Sequence, residues 1–139
     1  MKLMNDKIFL DSNILVYSYS DTELEKQHIA RNIIAENNSF ISTQVLQELS
    51  NILIKKFKKS FKDVGITINE SCKNNILLVN SKDTIIKACN IADKYKFSFY
   101  DSLIIASALE CNCKILYSED LQHKQVIEKS LSIVNPFFK

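Results

Sequence analysis

A chain of 139 residues with one glycine, Gly65, and one proline, Pro136, is poorly supplied for tight turns. Two-residue hairpins and most sharp reversals draw on Gly, Pro, Asn and Asp at set positions. An all-β architecture built on many hairpins is therefore disfavoured. Short apolar runs alternate instead with longer stretches of helical periodicity, the pattern of an α/β fold with a central, mostly parallel sheet.

Residues 7–11 read as a first strand, and 23–37 as a helix with Ile29, Ile33 and Ile34 on one side. Residues 39–42 read as a brief strand and 43–59 as a helix with Val45, Leu49, Ile52 and Leu53 inward. The stretch 60–76 reads as a loop or the tip of a helical hairpin, and 77–79 as a short extended piece. Ser81 can cap a helix carrying Ile85, Ala88, Cys89, Ala92 and Tyr95. Ser98 starts another, apolar nearly all round through Leu109, which should be central and buried. Residues 114–117 and 131–134 supply the last strands, giving the order β-α-β-α-α-α-β-β and a sheet of four or five strands.

The length is that of one domain spanning 1–139. No window approaches the ~18 apolar residues of a membrane span, and the N-terminal stretch lacks a signal-peptide apolar block, so a cytoplasmic location is expected. The net charge of +2 predicts no strong overall field. All but one of the 18 basic residues are lysines, Arg31 being the exception, which favours point charges over bidentate phosphate recognition. Cys72, Cys89, Cys111 and Cys113 lack the spacing of a zinc knuckle and read as reduced thiols, with Cys89 and Cys111 at buried helical positions.

Four acids sit where an acid hinders folding. Asp11 ends the apolar run Ile8-Phe9-Leu10, and Glu48 interrupts an apolar helix pattern. Asp101 precedes Leu103-Ile104-Ile105, and Asp120 follows Ile115-Leu116-Tyr117. Steering unpaired carboxylates toward an interior is costly. Ligands of an open parallel sheet collect beyond the carboxyl ends of its strands, and helices that follow those strands begin at the same edge. All four acids can therefore meet in one crevice. Each also has a local explanation. Asp101 fits a cap behind Ser98, Asp11 an Asx turn, Glu48 a solvent edge, and Asp120 a cap on 121–127. Like charges about 4 Å apart repel by roughly 4 kcal/mol at an effective dielectric near 20, a repulsion that a divalent cation removes. An all-oxygen donor set favours Mg²⁺ or Mn²⁺, ions suited to phosphoryl chemistry.

The runs IFLDSNILVY, TQVLQELSNIL, KFSFYDSLIIASAL and KILYSEDLQH with IVNPF resemble PIN-domain ribonucleases, nearest to the VapC-like toxins of bacterial type II toxin–antitoxin systems. The resemblance covers about residues 7–138 and implies a three-layer α/β/α arrangement. It implies that Asp11, Glu48, Asp101 and Asp120 are the metal-binding, catalytic acids. Asn13 and Ser118 match supporting hydrogen-bonding positions, and Glu119 an auxiliary acid. It further implies Mg²⁺- or Mn²⁺-dependent endonucleolytic cleavage of RNA, a small antitoxin partner, and a homodimer. Lys124 departs from the pattern, since relatives commonly carry glycine there.

Lys55, Lys56, Lys58, Lys59 and Lys62 crowd around Phe57 and Phe61. The lysines are assigned to RNA or antitoxin contact, and the two phenylalanines to the core. Tyr17, Tyr19 and Tyr100 are expected to pack with their hydroxyls wet. Competing readings are a PIN-like module that binds RNA or protein without cutting, and a Mg²⁺-dependent phosphatase or phosphoacceptor α/β domain. The phosphatase route needs a second acid two residues after Asp11, where Asn13 stands.

Overall fold

A computed structural model describes residues 6–139; Met1–Asn5, part of the N-terminal stretch considered above, lie outside the described residues. The elements run β1 (Lys7–Leu10), α1 (Ser12–Ser18), α2 (Leu24–Glu36), β2 (Asn38–Ser42), α3 (Thr43–Lys55) and α4 (Phe61–Asn74). They continue with β3 (Ile76–Leu78), α5 (Lys82–Tyr95), α6 (Phe99–Glu110), β4 (Ile115–Tyr117), β5 (Val126–Ile127) and β6 (Leu131–Val134).

The strands form one sheet in the order β3-β2-β1-β4-β6-β5, parallel except for β5, which runs antiparallel to β6. Ile8, Phe9 and Leu10 are all fully buried. Successive residues of a strand face opposite sides, so β1 is covered on both faces, as parallel strands must be. Helices α1 to α4 pack among themselves and α5 packs on α6. Residues 102–108 of α6 are buried without a break, so no polar stripe is left on this helix.

The sheet has six strands rather than four or five. The extra one, β5, is two residues long and too short to show a period. Its hairpin with β6 turns without glycine, because Glu128 and Lys129 take left-handed φ values of 51° and 61°. Helix α1 was unanticipated: Asp11 caps it through the Ser12 amide, and Ile14, Leu15 and Ser18 face inward. The uncertain stretch 60–76 is mostly the single helix α4, capped by Ser60.

Three burial expectations fail, the first at Tyr100, which is 65% exposed rather than packed. On α5 the buried stripe is Thr84, Ala88 and Ile91, which turns Ile85 and Cys89 outward. Phe57 packs against the core, but Phe61 is 79% exposed. Among the described residues no helix is long and apolar enough to cross a membrane.

Lys124 adopts φ 71°, and its amide donates to the Ile133 carbonyl at 2.7 Å. A side chain in that region costs about 1–2 kcal/mol, partly offset by the greater chain entropy of glycine. A left-handed backbone there suits the glycine that the resemblance implies at this position. Lys124→Gly should stabilise the fold by about 0.5–1 kcal/mol, seen as a rise of a few degrees in melting temperature. A lower melting temperature would show that the loop is unstrained.

Candidate functional site

β1 has β2 on one side and β4 on the other, so the connections diverge at its carboxyl end. Chains leave in opposite directions there and open a crevice. Asp11 stands at the mouth, and its amide donates to the Tyr117 carbonyl at 3.0 Å, tying the end of β1 to the end of β4. Asp120 comes from the loop that follows β4, Glu48 from the second turn of α3, and Asp101 from the first turn of α6 behind the Ser98 cap.

Electrostatic contact joins the four acids. Asp11 feels the charges of Glu48 and Asp120, and Glu48 feels those of Asp101 and Asp120. Asp11 is 7% exposed, and burial pushes its carboxyl up to about 6. Hydrogen bonds from the Ser118 hydroxyl and the Ser12 amide, both 2.7 Å, work against that rise, while Glu48 and Asp120 add to it. Glu48 is also raised, first by burial and then by Asp101 and Asp120, against hydrogen bonds from Ser12 and Gln44.

Two polar side chains hold the far wall. Ser118 is fully buried; its hydroxyl donates to Asp11 and accepts from the Asp120 and Leu121 amides at 3.2 and 3.3 Å. Asn13 donates to Asp120 at 3.0 Å and accepts from the Glu119 amide at 3.3 Å. Glu119 turns away from the acids. Its carboxylate receives Lys26 Nζ at 2.6 Å and the Tyr17 hydroxyl at 2.7 Å. Burial alone would raise it, yet those partners bring it below its ordinary range. Lys26 also lies over the rings of Tyr17 and Phe137. Glu119 is thus a paired strut rather than a free acid.

Ser12, Gln44 and Lys26 belong to this neighbourhood and escaped the sequence reading, while Tyr17 and Tyr19, expected to keep wet hydroxyls, engage them with Glu119 and Ser71 instead. Gln44 stands one helical turn before Glu48, and Ser12 lies between Asp11 and Asn13, so spacing could have found both. Lys26 gave no signal, because its partner is 93 residues away. The lysines at 55, 56, 58 and 59 are not brought to the crevice; they lie at the far end of α3.

Among the described residues no three acidic, histidine or cysteine side chains stand close enough together to grip an ion as they are. The donors nevertheless suit a hard divalent cation. They are all carboxylate oxygens, two of them raised by burial and mutual repulsion. Gln44 adds a buried carbonyl oxygen with no protein partner beside Glu48.

A family model for the PIN domain matches residues 8–129. The chain belongs to the PIN domain family. Solved structures agree with this PIN fold at low identity. A toxin–antitoxin complex from Klebsiella pneumoniae is 17% identical with a TM-score of 0.69, covering 94% of this chain and 98% of the other. VapBC2 from Rickettsia felis, bound to a DNA fragment from its promoter, is 17% identical at a TM-score of 0.68, with coverages of 93% and 99%. Mycobacterium tuberculosis VapC20, described as a sarcin-ricin loop cleaving toxin, is 16% identical at 0.65, with coverages of 81% and 89%. Among curated proteins none matches by sequence.

Proposed function

We propose that this single PIN domain is a metal-dependent endoribonuclease and the toxin of a toxin–antitoxin pair. The observation that carries the reading is a carboxylate, Asp11, kept 7% exposed at the end of the central strand among three further acids. Such an arrangement makes sense when a cation shares the crevice. Asp11, Glu48, Asp101 and Asp120 would hold Mg²⁺ or Mn²⁺, with Ser118 and Asn13 fixing Asp11 and Asp120 through hydrogen bonds. Glu119, paired with Lys26, would brace the rim instead of binding the ion. When bound, the ion would polarise a phosphoryl oxygen and favour hydroxide at neutral pH.

Structures that share the fold include toxin–antitoxin complexes, which supports a small antitoxin as the partner here. A homodimer and a cytoplasmic setting belong to the same reading. The rival phosphoaspartate route would need a proton donor where Asn13 is engaged with Asp120. The decisive assay incubates the protein with RNA in Mn²⁺ or Mg²⁺ and in chelator. Ion-dependent internal cleavage supports the reading, and intact RNA under every condition refutes it.

The exposed lysines Lys55, Lys56, Lys58 and Lys59 would track the RNA backbone beyond the crevice. Replacing all four with alanine should weaken RNA binding and lower the salt slope by roughly 0.7 for each single-strand phosphate that is no longer neutralised. An unchanged slope would remove this patch from the substrate path.

A further inference from the structure

We propose that the tip of the α3–α4 hairpin reads an unpaired base of the RNA, with the Phe61 ring as stacking surface and the surrounding lysines on the flanking phosphates. This rests on the ribonuclease reading and adds a base-contacting surface away from the acids.

Three observations meet at the tip. Lys55 closes α3, Lys56 and Lys58 follow in the connection, and Lys59 and Lys62 flank the start of α4, all of them exposed. None of these five makes an ion pair among the described residues, whereas Lys26, Lys94, Lys96, Lys114 and Lys139 each have a carboxylate partner. The acids seen beside the tip are Asp63 in the first turn of α4 and Asp21, which lines a cleft with Phe57 and Lys59. Positive charge therefore remains in excess there, and a polyanion would neutralise it.

Phe61 is 79% exposed at the head of α4, beside those lysines, while Phe57 four residues earlier packs inward. One turn further along α4 stands Gly65, the only glycine in the chain, where an added Cβ would meet nothing within 4 Å. Its φ is not positive, so neither crowding nor backbone conformation asks for glycine. Glycine inside a helix is less favourable than alanine by about 0.5–1 kcal/mol. Helical side chains lean toward the N-terminus, so one at position 65 would lie against the turn that carries Phe61. Its absence leaves the flank of the ring open.

An open ring framed by cations is how proteins hold unpaired nucleotides, because every base has a face to stack. In continuous duplex the bases are already stacked and the ring has nothing to accept. Leu53, Phe57 and Lys59 line the same cleft as Val16, Tyr19 and Asp21, and α3 packs on α1. Helix α1 is seven residues long, roughly 10 Å, which leaves the tip within reach of RNA whose backbone lies at Asp11.

The test measures binding by anisotropy in chelator, where nothing is cut. The probes are a labelled RNA hairpin with an unpaired loop and a blunt RNA duplex of equal length. Phe61→Ala should weaken loop binding by roughly 5- to 100-fold and leave duplex binding near the parent value. Phe61→Tyr should retain loop affinity. Gly65→Leu should weaken loop binding without lowering the melting temperature, which separates a covered ring from a damaged fold. Parent-like loop binding by Phe61→Ala, or equal loss for loop and duplex, overturns the proposal. So does a Phe61→Ala protein that keeps both RNAs but loses its antitoxin, since the surface then serves a protein. Cleavage assayed alongside in Mn²⁺ distinguishes the two levels. A parent that cuts RNA but shows no loop preference sinks this inference alone, and a parent that neither cuts nor binds sinks the ribonuclease reading with it.

Discussion

Asp11→Asn and Asp101→Asn proteins should fold, bind RNA, and fail to cut it. Losing one carboxylate from the cation site removes several kcal/mol of transition-state stabilisation, on the order of a 10³-fold or greater fall in rate. Neither change should harm the scaffold. An asparagine at 11 keeps an oxygen to accept the Ser12 amide, the bond that caps α1; its NH2 replaces the oxygen that accepts the Ser118 hydroxyl, a loss offset by removing a carboxyl that burial disfavours. At 101 the change leaves the Ser98 cap and the buried run 102–108 of α6 untouched. RNA affinity should hold or improve, because a negative charge has left the surface a polyanion approaches. Single-turnover cleavage of labelled RNA is the measurement, with Asp93→Asn on the exposed side of α5 as the control that keeps parental activity. Variants at 11 and 101 that cut at the parental rate would end the assignment of these acids.

The stability of the ion-free protein should fall as pH rises through the window from about 4 to about 6. The Asp11 carboxyl moves from 3.8 in the unfolded chain to about 6 in the fold, so over that interval the native state holds more protons. Native protonation of this kind makes unfolding easier with each step up in pH. The penalty is absent below the lower value and complete above the upper one, on the order of 2–3 kcal/mol. Glu48, raised for the same reason, acts in the same direction. A divalent cation should reverse the trend. At 100 times its dissociation constant a native-state ligand adds about 2.7 kcal/mol, several degrees of melting temperature, and protons compete with it below about pH 6. Calorimetry in chelator and in Mn²⁺, at about pH 5 and about pH 7.5, should show the ion-induced rise mainly at the higher pH. The same scans on Asp11→Asn isolate this one carboxyl from Glu119 and Glu128, which shift the opposite way. If parent and variant respond alike, Asp11 does not carry the linkage.

Legibility from sequence followed how local each signal was. Strand β1 and helix α6 were readable because their apolar runs have no rival interpretation. Helix α1 was missed because Asp11 both ends a strand and caps a helix, and the turn chemistry of DSN masked the second role. β5 depends on left-handed residues at Glu128 and Lys129, which no residue type announces. The four acids could be named from their misfit with the surrounding apolar pattern. Glu119 could not be placed, since its direction is set by Lys26 on a distant helix. Phe61 was misjudged because aromatic residues normally bury, and its exposure follows from its place at the head of α4, where the buried positions are Val64 and Ser71.

The Ser118 hydroxyl meets Asp11 across 107 positions of sequence, and Asn13 spans the same distance to Asp120. The wall facing Asp11 is thus supplied by the last of the four segments that line the crevice. A polypeptide cut after Cys113 would keep Asp11, Glu48 and Asp101 but lose both Ser118 and Asp120. Its central carboxyl would have no buried hydroxyl to hold it, and the crevice would stand open on one side.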